Sequence, residues 1–103
     1  MVQIVENWAD IEGRLRDLGP SQRGPAFVVA EVEVEAVTPV EGVPNLFQDA
    51  VGTTLRVEVP AAVAQARGLD AGGRVTMRVR RAGPPPTSVF AHPEHVNTAP
   101  AGS

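Results

Sequence analysis

Ala26-Phe-Val-Val-Ala-Glu-Val-Glu-Val-Glu-Ala-Val-Thr38 is a stretch without Gly or Pro in which apolar residues and glutamates take turns. In extended chain the side-chain period is two, so Val28, Ala30, Val32, Val34 and Ala36 share one side while Glu31, Glu33 and Glu35 share the other. Branched Val side chains favour a pleated surface over a helix. The stretch therefore predicts a long strand with one face toward a core and one acidic face toward water.

The segments around it follow the same logic. Thr53, Leu55, Val57 and Val59 alternate with Thr54, Arg56 and Glu58, which predicts a second strand ending at Pro60. Ala61 to Arg67 is a run of helix formers entered through Pro60 and closed by Gly68, which predicts a two-turn helix. After the turn residues Asp70-Ala-Gly-Gly73, Val75, Met77 and Val79 alternate with Arg74, Thr76, Arg78 and Arg80 in another strand. Gly83-Pro-Pro-Pro86 breaks it, Thr87 to Ala91 is a last short strand, and Asn97 to Ser103 is a tail of small residues expected to be disordered. Toward the N-terminus, Ser21 to Pro25 has loop composition. Trp8, Ile11, Leu15 and Leu18 recur at spacings of three and four, so Asn7 to Gly19 predicts an amphipathic helix with Asn7 as its N-cap. Pro39 to Gly52 is a long connection with an apolar island, Asn45-Leu46-Phe47.

A chain of 103 residues with 43% hydrophobic and 20% charged residues holds one globular core. Ten Gly and ten Pro cut it too often for a bundle of long helices. Zero Cys excludes disulfides, thiolate metal sites and a Cys nucleophile. No apolar run reaches the ~20 residues of a membrane-spanning helix, and Met1 to Glu6 lacks the basic start of a signal peptide, so a cytoplasmic protein is expected. All nine basic residues are Arg, which with abundant Ala, Val, Gly and Pro points to a GC-rich, bacterial source.

The phrase Leu55-Arg-Val-Glu-Val-Pro-Ala-Ala-Val63, followed by Gly68-Leu-Asp-Ala-Gly-Gly-Arg-Val-Thr-Met-Arg-Val79, resembles the second half of a small OB-type barrel. It is also similar to a phrase in swapped-hairpin regulators and in molybdate-type binding domains. The OB resemblance implies a β-rich α+β fold: a Greek-key barrel of about five strands, with a short helix between two later ones. On this reading residues 1–25 are an N-terminal helix and linker packed on the barrel, 26–96 the barrel, and 97–103 the tail. Only four barrel strands are clear, so the fifth is expected from Val40–Gly52 or from Val2–Val5. The resemblance implies binding and seldom catalysis.

Three sets of residues are candidates for that binding. Leu46 and Phe47, with Val43, are apolar residues on a turn-rich loop and read either as a lid on the core or as anchors for a protein partner, with Arg78 and Arg80 as charged orienters. Arg56, Arg74, Arg78 and Arg80 are a candidate phosphate track, with Phe90 to stack a base, for single-stranded nucleic acid. Against that track stands neutralisation by Glu31, Glu33 and Glu35, and a net charge of −3 that gives no long-range attraction to a polyanion. A small-oxyanion site is a further alternative. His92-Pro-Glu-His95 has ligand-type residues, but Pro93 prevents a helical pair and the chain holds no other His, so a solvated loop explains them and no metal or cofactor is expected. Ser21, Ser88 and Ser103 lack a nucleophile-elbow motif, and no enzyme is expected. The leading expectation is a protein–protein interaction subunit or adaptor in a larger bacterial assembly.

Overall fold

The computed structural model describes residues 7–83 and 87–99. In chain order it contains β1 (Ala9–Pro20), β2 (Phe27–Pro39), β3 (Thr54–Pro60), α1 (Ala61–Ala66), β4 (Arg74–Ala82) and β5 (Ser88–Ala99). Hydrogen bonds join the strands in the order β1-β2-β3-β5-β4, and β4 returns to β1, so the sheet closes into a ring. All pairings are antiparallel except β3 with β5.

The alternation in β2 works as its sequence dictates: Ala30, Val32 and Val34 are buried and the three glutamates face out. Val57 and Val59 of β3 and Val75, Met77 and Val79 of β4 meet them in the same core. Burying side chains of this size contributes roughly 1.5–3 kcal/mol each. Pro60 still belongs to β3, opposite Phe27, and the amide of Ala61 donates to the Ala26 carbonyl, which satisfies one of the unpaired donors at the start of α1. Gly68, at φ +64°, turns the chain out of α1 so that Leu69 donates to the Ala64 carbonyl and buries its side chain.

The N-terminal helix expected over Asn7–Gly19 is absent; residues 9–20 are β1, which sits between β2 and β4. Ile11 and Leu15 are four apart, a spacing that satisfies a helical stripe and a strand face equally. Along the strand Ala9, Ile11, Gly13 and Leu15 point inward while Glu12, Arg14 and Arg16 point outward. Trp8 and Leu18, which completed the helical stripe, are only half-buried. Residues 9–20 are thus a strand of the ring itself, not a helix packed on residues 26–96. β1 is also the fifth strand of the described sheet; of the two expected sources, 40–52 is irregular, and Val2–Val5 lie outside the described residues.

Asn7 caps no helix. It is 3% exposed, its Nδ2 donates to the Arg81 carbonyl at 2.9 Å, and its Oδ1 accepts from the Arg81 amide at 2.8 Å. One side chain thereby stands in for a backbone partner of β4. Asn7→Ala leaves both Arg81 groups without these bonds, and unfolding in urea should show a loss of about 1–3 kcal/mol, with Asn7→Asp restoring only the acceptor half.

The last strand is longer than its sequence predicts. Asn97 to Ala99 pair with Thr76 to Arg74, so the expected disordered tail begins inside β5; residues 100–103 lie outside the described residues. Between the pairs Val79–Ala91 and Met77–Val96, β5 has four residues, 92–95, where β4 has only Arg78. His92-Pro93-Glu94-His95 is therefore a large bulge, and it lets Ala91 and Val96 both face the core although they are five apart.

Candidate functional site

The arginine row of β4 is the first candidate to examine, because its meaning depends on which strands flank it. β1 is next to β4 and contributes Asp10 directly opposite Arg78. Arg78 grips Asp10 with two bonds, Nε to Oδ1 at 2.9 Å and Nη2 to Oδ2 at 3.2 Å. Arg74 reaches Glu12 of β1 at 3.3 Å and, across that strand, Glu35 of β2 at 2.5 Å. Glu33 meets Arg16 at 3.2 Å. Hydrogen bonds to Glu35 and then Glu12 raise the Arg74 guanidinium above its ordinary pKa, and the bond to Asp10 does the same for Arg78 against an opposing effect of burial. A raised cation pKa gives stability below the ordinary guanidinium value, lost only as pH rises through the raised one, so both residues stay charged across the neutral range.

Three further cations rest on rings. The Arg80 guanidinium lies 5.6 Å from the Trp8 ring centre, Arg81 4.6 Å from Phe47, and Arg23 4.6 Å from Phe90. Phe90 also meets Phe27 edge-on at 6.5 Å. The residues grouped as a phosphate track thus do not form one. Arg74 and Arg78 are ion-paired, and Arg80 lies over Trp8. Arg56 on β3 is separated from all three by β5, and Phe90 is covered by Arg23.

The loop 40–53 is the second candidate. It leaves β2 at the end where β1 begins, opposite to the end that carries α1. Its backbone is fixed at many points. Asn45 Oδ1 accepts from the Phe47 amide, the Ala50 amide donates to the Phe47 carbonyl, and the Thr53 hydroxyl donates to the Ala50 carbonyl. Gly52 donates to Val34, Trp8 donates to Pro44, and Arg81 Nε donates to the Leu46 carbonyl at 3.2 Å. Phe47 is 1% exposed and belongs to the core, so it is no anchor for a partner. Leu46 next to it is 47% exposed and Val51 is 52% exposed, while Val43 is half-buried. Adjacent residues go opposite ways because the turn at Asn45 aims one side chain inward and leaves its neighbour outside.

The bulge of β5 is the third. The His92 and His95 rings are 4.7 Å apart, His92 stands 5.2 Å from Trp8, and the Glu94 amide donates to His92 Nδ1. Among the described residues no group of three potential ligands is placed to hold a metal ion. No helix among them is long and apolar enough to cross a membrane.

Sequence reasoning missed the parts played by Asn7, Trp8, Arg23 and Arg81. The spacing of Trp8 fits a helical stripe, and nothing in one-dimensional spacing joins residue 7 to 81 or 23 to 90. No family model matches the chain, and a search of curated proteins finds no match.

Proposed function

We propose that this chain is a non-catalytic OB-like binding module that docks a protein partner on its 40–53 loop. Three features support the OB-like part. The strand order is β1-β2-β3-β5-β4, the β3–β5 pair is parallel, and a helix lies between β3 and β4. The docking part rests on one observation: Leu46 and Val51, the exposed large hydrophobic residues among those described, both sit on a loop whose backbone is already fixed. Fixed apolar side chains lose little freedom on binding, which is what an interface anchor requires. Arg81, bonded through Nε to the Leu46 carbonyl, presents its remaining donors beside that anchor and is a better orienter than Arg78, which Asp10 occupies.

A photo-reactive residue placed at Leu46 should crosslink one protein partner in cells, and the same group at exposed Gln65 on α1 should not. No adduct at 46, or the same adducts from both positions, removes the proposal. The competing reading, single-stranded nucleic acid, requires free cations and predicts steeply salt-dependent binding. Because Arg74 and Arg78 are ion-paired and Arg80 rests on Trp8, a fluorescent oligothymidylate should show no binding at low salt, and a steep salt dependence would instead favour nucleic acid.

A further inference from the structure

The loop between β1 and β2 folds onto two other strands. Ser21 to Gly24 make a tight turn: the Gly24 amide donates to the Ser21 carbonyl at 3.3 Å, and the Arg23 amide donates to the Ser21 hydroxyl at 3.0 Å. Gly24, at φ +108°, redirects the chain, and the Phe27 amide donates back to the Gly24 carbonyl as β2 begins. Two side chains leave this turn. The Ser21 hydroxyl donates to the Glu58 carboxylate of β3. Arg23 reaches β5, where Nη2 donates to the Ser88 hydroxyl at 3.0 Å and the guanidinium lies over the Phe90 ring.

These landing points flank a short seam of the ring. Among the described residues the β3–β5 ladder contains Val57 with Val89 and Glu58 with Phe90. The turn therefore ties Glu58 on one side of that ladder to Phe90 and Ser88 on the other, across the outer face of the sheet. Val29, opposite Glu58 in the β2–β3 register, is 6% exposed although it is not part of the central core, so it is covered from outside. Phe27, two residues earlier on the same face, meets Phe90 edge-on. An apolar patch of Phe27, Val29 and Phe90 thus lies outside the barrel, bracketed by the contacts of Ser21 and Arg23. Each of these contacts is weak alone, being partly or fully exposed. They act together because the hydroxyl that grips Glu58 also accepts the Arg23 amide and so aims the Arg23 side chain.

From this arrangement we infer that loop 21–26 is a strap that locks the β3–β5 seam and covers the Phe90 ring, and that it opens as one unit. Releasing Ser21 from Glu58 loosens the turn, withdraws Arg23 from Phe90 and lets β5 part from β3 in the same event. The strap joins the end of β1 to the start of β2, at the α1 end of the ring, and is independent of the Leu46 loop at the other end.

The test uses the full chain labelled with ¹⁵N and ¹³C, with Ser21→Ala, Arg23→Ala and the two combined; Arg67→Ala, at the exposed C-terminal end of α1, is the control. In the unmodified chain the Phe90 ring should move the Arg23 Cδ protons upfield, and Ser21→Ala should abolish that displacement although residue 23 is unchanged. Amide exchange at Glu58 should quicken about fivefold in either single variant, and by about the same factor in the double, because both changes open one closed state. Amides along the β1–β2 ladder should keep their rates. The strap is overturned if Arg23 keeps its upfield shift in Ser21→Ala, or if Glu58 exchange in the variants matches the Arg67→Ala control. It is equally overturned if the β1–β2 amides quicken as much as Glu58, or if the two single effects multiply in the double as independent contacts do.

Discussion

Gly13→Ala should destabilise this protein by about 3 kcal/mol or more, a large part of the 5–15 kcal/mol typical of a single domain. Gly13 is in ordinary extended backbone, so the cost is not one of dihedral freedom. At Gly13 the register of β1 against β2 shifts, and the β2 backbone passes directly over the Cα. A methyl group there would overlap the Glu33 carbonyl oxygen, stand 2.9 Å from the carbonyl carbon and press on Val32 Cγ1 at 3.2 Å. The obstacle cannot swing aside, because Glu33 is held in β2 between Arg14 of β1 and Thr54 of β3. Relief requires breaking a ladder at the centre of the ring, which is why the cost exceeds ordinary overpacking. Gly19, in the same strand with nothing within 4 Å of an added Cβ, is the control and should change by no more than about 0.5 kcal/mol on replacement by Ala. Urea titrations followed by circular dichroism measure both; a Gly13→Ala midpoint close to that of Gly19→Ala would show that β2 does not pass as closely as described.

The second large effect separates two neighbours. Phe47→Ala should cost about 3–5 kcal/mol, the range for emptying a well-packed aromatic site, whereas Leu46→Ser should stay within about 0.5 kcal/mol. Phe47 lies in the core and carries the Arg81 guanidinium over its ring, so its loss also frees a cation that now helps to fix the loop. Leu46 contributes only its carbonyl to the fold, through Arg81, and serine retains that group. Equal losses at the two positions would place Leu46 in the core and remove the docking surface. Differential scanning calorimetry on the two variants decides it.

How much of this was legible in the sequence depends on whether a segment's periodicity has one solution. β2, β3 and β4 alternate without interruption, and Pro60 and Gly68 bracket α1, so these elements lie where their residues predict. β1 was ambiguous because Ile11 and Leu15 fit both periods, and only its neighbours β2 and β4 select the strand. The first part of β5 lies where Thr87 to Ala91 predicts a strand, but its continuation past 91 was hidden by the bulge at 92–95, which reverses the parity between Ala91 and Val96 and destroys the alternation on which strand recognition depends. The charged rows show a different limit. Glu35 does meet Arg74, yet the other partners of Arg74 and Arg78 are Glu12 and Asp10, residues that a helix at 7–19 would have placed elsewhere. In the 40–53 loop no period exists at all, and the opposite fates of Leu46 and Phe47 follow from one Asx turn.

The unequal lengths of the ladders have a consequence for motion. Among the described residues β1 and β2 are stitched over eleven pairs, but β3 and β5 over two, between parts of the chain far apart in sequence. Contacts of that kind form late in folding, when most of the loop entropy has been surrendered, and they are the first to let go. An unlatching of β5 from β3 is the excursion this arrangement leads one to expect, and it would show as faster amide exchange at Glu58 than along the β1–β2 ladder.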